Sequence, residues 1–131
     1  MGAQSSRNLT FDAGGLIAFD RGDPRVRAIL RHALATGVDI AVPAGALAQA
    51  WRDGSGQSRL AALVSDAHTR TEALTEVRAR AAGLLCGRTG VADVVDASVV
   101  LCARAQGNSV VVTSDPADLA ALDRHLKVAT V

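Results

Sequence analysis

The chain has 131 residues and a mass of 13.4 kDa, a size that fits one compact domain. Hydrophobic residues make up 49% of it, enough for a core, whereas aromatic residues make up only 2%. This scarcity excludes nucleic-acid binding by stacking of bases on aromatic side chains. A formal net charge of +1 excludes a polycation of the histone type, so any contact with nucleic acid must be local.

The first half of the chain alternates strand and helix patterns. The predicted elements are, in order, a strand at 9–11, a tight turn at 13–15, a short helix from 16 to 19, a helix from 24 to about 37, a strand at 38–42, a helix at 44–51 and a helix around 60–64. Asp23 and Pro24 are a strong helix start, because an acidic N-cap is followed by proline at the first helical position.

The second half continues the alternation. A longer helix carries Ala73, Leu74, Val77, Ala81, Leu84 and Leu85; then come a helix from Asp93 to about Gln106, a strand at 110–112, a helix from Pro116 and a short strand at 127–131. The wholly apolar, β-branched run at 110–112 is typical of a strand buried on both faces of a parallel sheet. The alternation predicts one domain over 1–131, a three-layer α/β/α sandwich with a mostly parallel central sheet.

The sequence predicts neither a membrane span nor a secretion signal. No apolar run approaches the roughly 18 residues that a membrane helix needs, and the polar start at 1–7, which we expect to be a flexible tail, lacks the apolar stretch of a signal peptide. Cys86 and Cys102 fall in predicted helices without CxxC spacing. We interpret them as buried free thiols of a cytoplasmic protein.

Four aspartates are predicted to meet at one edge of the sheet, where the parallel strands end and ligands bind. Asp12 follows the first strand, Asp115 follows the strand at 110–112, and Asp93 and Asp96 share the first turn of one helix. Crowded carboxylates repel one another, and a divalent cation removes that conflict. Mg²⁺ and Mn²⁺ prefer oxygen ligands, and such a centre suits hydrolysis of a phosphodiester bond.

Each of these aspartates also has a purely structural interpretation. Asp93 and Asp115 are good N-cap residues, and a cap needs no metal. Asp118 lies on a helix that requires solvated polar positions, so we leave it out of the site. Asp96 lies in an otherwise apolar stretch and Asp12 follows an apolar strand, so a solvated surface position explains these two less well.

Four segments, in this order and with this spacing, resemble the PIN domain, specifically the small VapC-type toxins of bacterial toxin–antitoxin pairs. The segments are LTFDAGGLIA at 9–18, VPAGALAQAWR at 42–52, DVVDASVV at 93–100 and VTSDPADL at 112–119. The resemblance covers about 9–122. It implies a PIN-like fold and an endoribonuclease that depends on Mg²⁺ or Mn²⁺, with a cognate antitoxin as partner and a homodimer as its oligomeric state.

The resemblance also implies site residues by position. The metal ligands that it implies are Asp12, Asp93, Asp96 and Asp115, with Asp93 as an additional ligand or as a group that orients one. Asp12, Asp96 and Asp115 would be the catalytic residues. Thr113 and Ser114 would hold the loop before Asp115 and hydrogen-bond a carboxylate or a metal-bound water.

One position departs from the family pattern. The helix after Pro43 usually supplies a glutamate in a Leu-Ala-Glu sequence, and this chain has Gln49 there. An amide can ligate through its carbonyl oxygen, but it supplies no negative charge and cannot act as a general base. Two interpretations stay open: a nuclease whose remaining aspartates suffice, or a weakened or silent PIN-fold module that binds RNA or a partner protein.

Basic residues near the predicted site suggest binding of RNA. Arg52 and Arg59 flank a Gly- and Ser-containing loop at 53–58, which follows the helix that carries Gln49. Arginines beside a flexible loop can hold an RNA backbone through charge-assisted contacts. The alternative is a plain surface loop with solvated arginines.

Overall fold

A computed structural model describes residues 8–107 and 109–131, so the tail expected at 1–7 lies outside the described residues. In chain order the elements are β1 (Asn8–Phe11), α1 (Ala13–Asp20), α2 (Pro24–Ala35), β2 (Asp39–Pro43), α3 (Ala44–Ala50), α4 (Ser58–Ser65), β3 (Thr69–Glu72), α5 (Glu76–Thr89), α6 (Val94–Ala105), β4 (Val110–Thr113), α7 (Pro116–Leu122) and β5 (Lys127–Thr130). Most of these elements were predicted from local pattern.

The strands form one parallel sheet in the order β3-β2-β1-β4-β5. Helix α1 packs against α2, α3 and α4, and the helices α5, α6 and α7 pack together as a second group. The sheet lies between these two helical layers, which confirms the predicted α/β/α sandwich. The chain builds outward from β1 to β3 and then returns to β4, so the strand order reverses between β1 and β4. Ligands of such sheets bind at the carboxyl ends of the strands beside that reversal.

The core lies at the two central strands. Val111 and Val112 of β4 are fully buried, as expected of a strand covered on both faces, and Phe11 of β1 is fully buried beside them. Leu16 of α1 and Val100 of α6 are also fully buried. The two strands that carry the predicted site therefore lie in close-packed, buried surroundings.

The tight turn predicted at 13–15 is wrong, because α1 begins at Ala13. Its first turn lies directly on β4: a Cβ atom on Gly15 would overlap the carbonyl oxygen of Val112. Glycine is required here by the close approach of a helix to a strand backbone, and not by a turn. The Gly-Gly pair thus brings α1, and Asp12 before it, against β4.

The region around β3 also differs from the prediction. β3 is an edge strand of mostly polar residues, so it lacks the apolar pattern of a buried strand. Helix α5 begins only at Glu76, after the Thr75 side chain, which accepts a hydrogen bond from the amide of Arg78 at 3.2 Å. Val77 is 79% exposed and Leu84 is 61% exposed. Two of the apolar residues that predicted this helix are therefore largely exposed to solvent.

Two further sequence predictions concern location and redox state. Within the described residues, no helix has both the length and the apolar character needed to span a membrane. Both cysteines are free, as predicted; Cys102 is buried, but Cys86 is only partly buried. Burial raises the pKa of the Cys102 thiol, which favours its neutral form.

Candidate metal centre

The predicted aspartates lie at the carboxyl edge of the sheet, beside the reversal between β1 and β4. Asp12 directly follows β1, and Asp115 is separated from β4 by one residue. Helix α6 leads into β4, so its first turn, with Asp93 and Asp96, lies at the same edge. The aspartate cluster is the set of carboxylates at this edge, namely Asp12, Asp93, Asp96, Asp115 and, from α7, Asp118.

Asp12 is the most buried of these groups, with 5% of its surface exposed. Its Oδ1 accepts a hydrogen bond of 2.7 Å from the amide of Gly15, so it is the N-cap of α1. Burial raises the pKa of Asp12 above its usual value, and the nearby charge of Asp115 adds to this effect. Hydrogen bonds from Thr113 and Gly15 oppose it. The Asp12 carboxylate is therefore held in place by hydrogen bonds, but within the described residues no cationic side chain balances its negative charge.

Thr113 connects the two strand-end aspartates. It is fully buried, its hydroxyl bonds to the Asp12 carboxylate, and its Oγ1 accepts a hydrogen bond of 2.9 Å from the amide of Asp115. Ser114 lies against α1, since a Cβ atom on Gly14 would overlap its Oγ. Thr113 thus makes a hydrogen bond within this loop; the role of Ser114 and a contact with metal-bound water stay predictions.

The first turn of α6 holds two more carboxylates. Asp93 accepts a hydrogen bond of 3.0 Å from the amide of Asp96, so it is an N-cap, as its structural interpretation stated. Burial raises the pKa of Asp96 to about 6, and the charges of Asp93, Asp12 and Asp118 contribute to the shift. Asp96 is therefore electrostatically linked to side chains from α7 and from the end of β1.

The structure adds Asp118, which the sequence interpretation had left as a solvated residue. A side-chain hydrogen bond with Asp115 raises the pKa of Asp118. Asp115 is the N-cap residue of α7, as its structural interpretation stated, but its side chain makes no capping bond to the helix. Two carboxylates share a hydrogen bond only when a proton lies between them, and at neutral pH a cation relieves the same repulsion. The signal was available, because 115 and 118 have the same spacing as 93 and 96.

The donor chemistry of the aspartate cluster fits a hard divalent cation. Within the described residues, no arginine, lysine or histidine nitrogen lies within 4.0 Å of these carboxylates. The same residues hold no group of three or more His, Cys, Asp or Glu side chains placed to bind one ion together. Mg²⁺ in proteins is often held by only one or two carboxylates and keeps several waters. The arrangement suits that mode and does not suit an all-protein cage.

Gln49 is exposed on α3, one helical turn after Gly45. A Cβ atom on Gly45 would lie 3.5 Å from Val95 and 3.7 Å from Ser98, so this face of α3 is turned towards α6. Within the described residues, the Gln49 amide makes no hydrogen bond. Its position is compatible with a side chain that reaches towards the aspartate cluster.

Within the described residues, the two predicted RNA-binding arginines form no ion pair with the aspartate cluster, and they bond to carbonyl groups of the chain. Arg52 donates to Ala48 at 3.1 Å and to Trp51 at 2.9 Å. Arg59 donates to the carbonyl of Asp20 at 3.3 Å, at the end of α1. Their part in RNA binding stays a prediction.

The loop between these arginines is held by its own hydrogen bonds. Gln57 accepts from the amides of Arg52 and Asp53 and donates to Ala50, while Asp53 accepts from Ser55. The flexible loop expected from the sequence is therefore an internally bonded turn.

A cavity of about 700 Å³ lies at the opposite end of the strands from the aspartate cluster. It is lined by the start of β1, the carboxyl-terminal half of α2 and the start of β4, with Leu9, Ile29 and Val110 among its apolar residues. Its described lining contains no acidic side chain. Size alone therefore does not locate the chemistry in this fold.

The raised pKa of Asp96 predicts how stability depends on pH in the metal-free protein. The folded state holds the proton more tightly than the unfolded state, whose pKa is near 3.8. This contribution is complete below pH 3.8 and is lost as the pH rises through about 6. Asp96→Asn should therefore be more stable than the parent above that range, by on the order of 1 kcal/mol because solvent screens a half-exposed group.

Thermal melting in a chelator across this pH range measures the effect. Asp39→Asn is the control, because Asp39 is exposed at the opposite end of the sheet. Parallel pH profiles for the parent and Asp96→Asn would contradict the assigned environment of Asp96.

A scan against protein-family models and a search of curated proteins both found no match to this chain.

Proposed function

We propose that the protein is a metal-dependent endoribonuclease with a PIN-like fold, similar to VapC-type toxins. The observation that carries the proposal is the aspartate cluster: five carboxylates, without a cationic partner in the described residues, at the strand reversal of a parallel sheet. A site of this charge needs a cation before a phosphodiester can approach. The proposed substrate is RNA, and the proposed cofactor is Mg²⁺ or Mn²⁺.

Asp12 and Asp96 would hold the ion, and Asp93, Asp115 and Asp118 would bind it through water. A bound Mg²⁺ or Mn²⁺ supplies Lewis-acid activation of water and neutralises charge on the phosphoryl oxygens. The protein's own part is orientation: the Gly15 amide fixes one oxygen of Asp12. Burial and the charges of neighbouring aspartates raise the pKa of Asp96 to about 6 in the metal-free protein, and a bound cation would relieve that unfavourable charge.

The direct test is cleavage of structured RNAs by the purified protein in Mg²⁺ or Mn²⁺, with chelator as the reference. Cleavage that needs the metal and is lost in both Asp12→Asn and Asp96→Asn supports the proposal. Cleavage that survives in both variants indicates a contaminating nuclease. Absence of cleavage at any metal concentration favours the silent binding module.

Gln49 favours the silent binding module, because glutamine lacks the negative charge of the glutamate that the family pattern has at this position. If Gln49 faces the ion, Gln49→Glu should tighten Mg²⁺ binding on the order of tenfold, by adding a charged oxygen ligand. Isothermal titration calorimetry measures the change. The matched control is Gln106→Glu, which adds the same charge beside Arg70 at the opposite end of the sheet. Equal affinities in the parent and both variants would show that Gln49 does not face the ion.

We further propose a cytoplasmic location, a cognate antitoxin and a homodimer, as the resemblance implies. Exposed apolar residues support a protein partner, above all Val77 and Leu84, which lie two turns apart on α5. Leu34 of α2 is also partly exposed, at 42%.

A further inference from the structure

A groove runs along α1, and one of its ends is lined by residues next to the loops that carry Asp12 and Asp115. Its volume is about 590 Å³. Gly14 and Ser114 line one end, and in sequence they lie close to Asp12 and next to Asp115. The other end is formed by the link between α1 and α2, at Gly22. One end of the groove therefore lies at the segments that hold Asp12 and Asp115, and the other end lies at the link between α1 and α2.

One face of α1 forms the floor of this groove. Gly14, Ile17, Ala18 and Arg21 recur every three or four residues, so they share that face. The eight residues of α1 span about 12 Å along the helix axis. The middle of the floor is small and apolar, whereas the end away from the aspartate cluster is basic.

The basic end carries one arginine without a partner. Arg25 is neutralised by Asp23, to which it is bonded at 3.0 Å. Arg21 is exposed, and its guanidinium makes no hydrogen bond or ion pair within the described residues. A guanidinium with free donors binds phosphate oxygens in a bidentate manner.

A second positive charge lies against the same end. The Arg59 guanidinium packs on Gly22, where a Cβ atom would lie 3.3 Å from its central carbon. Gly22 has a φ of 81°, in the left-handed region. Arg59 donates to the carbonyl of Asp20 and forms no ion pair within the described residues, while the Asp20 carboxylate accepts a hydrogen bond from the amide of Leu60.

We propose that this groove binds the single-stranded RNA segment next to the phosphate held at the aspartate cluster, and that Arg21 binds a phosphate of that segment. The inference rests on the proposed nuclease function. A divalent ion at the aspartate cluster and the guanidinium of Arg21 at the far end of the groove would each attract a phosphate group. The RNA backbone carries such groups at regular intervals. Because aromatic residues are scarce, backbone contacts must supply most of the affinity.

The test is fluorescence anisotropy of a short labelled single-stranded RNA in Mg²⁺ over a range of NaCl concentrations. All proteins carry Asp96→Asn, so that the RNA stays intact. Arg21→Ala should weaken binding about 5- to 10-fold at low salt and lower the slope of log K against log salt by about 0.7, the value for one phosphate contact on a single strand. Arg21→Lys should retain the slope, because the charge remains, with part of the affinity lost.

The matched control is Arg88→Ala, since Arg88 is an exposed arginine on α5, which does not line the groove. It should leave affinity and slope unchanged. Unchanged binding by Arg21→Ala, or no RNA binding by the parent, overturns the groove proposal even if the protein cleaves RNA. If Arg21→Ala lowers both the affinity and the salt dependence of binding, the result supports RNA binding by the groove. If the wild-type protein then cleaves no RNA with any metal, only the proposed nuclease function is rejected.

Discussion

Asp12→Asn is expected to lower metal-dependent RNA cleavage on the order of 10³-fold, because it removes the charge of the most buried carboxylate in the aspartate cluster. Asparagine has nearly the same shape, and its Oδ1 can still accept the capping bond from Gly15. The variant should therefore fold like the parent. A loss of activity would then result from the missing negative charge and not from unfolding of the protein.

The measurement is the initial rate of RNA cleavage at saturating Mg²⁺, together with a melting curve for each protein. Asp39→Asn is the control, because it removes one exposed carboxylate from the opposite end of the sheet. Asp39→Asn should retain the parental rate. Parental activity in Asp12→Asn, with the fold intact, would remove Asp12 from the site and with it the basis of the proposed function.

Gly15→Ala is expected to destabilise the fold by about 3 kcal/mol, because the new methyl group would overlap the carbonyl oxygen of Val112. The contact is with strand backbone at the centre of the sheet, which cannot move aside as a flexible side chain can. For a domain of this size, the melting temperature should fall by about 10 °C.

The control for this prediction is another glycine in a helix. Gly83 lies inside α5, and a Cβ atom there would meet nothing within 4 Å. Gly83→Ala should therefore stabilise the protein by about 0.5–1 kcal/mol, through helix propensity alone. Denaturant titration compares the two. A Gly15→Ala variant as stable as the parent would mean that α1 does not lie this close to β4.

Local pattern was sufficient for most of the elements. The Asp23-Pro24 start of α2, the Asp93 cap of α6 and the apolar run of β4 all depend on residues within a few positions of one another. The placement of Asp12 and Asp115 at one edge followed from strand order alone, since the carboxyl ends of parallel strands lie together.

Other features required contacts between distant parts of the chain. β3 is a strand because its polar residues pair with β2, and nothing in its own sequence is typical of a buried strand. The Gly-Gly pair was read as a turn because the approach of the β4 backbone to Gly15 is not visible locally. Val77 and Leu84 contributed to the apolar pattern that predicted a helix here, yet Ala82 and Leu85 are the residues of α5 that are buried.

The sequence by itself determined the alternation of strands and helices and the aspartates that follow the central strands, because both depend on short-range periodicity and on the chirality of the chain. Only the tertiary structure decided that Asp118 joins these aspartates and that Arg21 lines the groove, whereas Arg52 bonds to its own backbone. Burial, charge pairing and side-chain partners are set by groups far apart in the sequence, and packing alone brings them together.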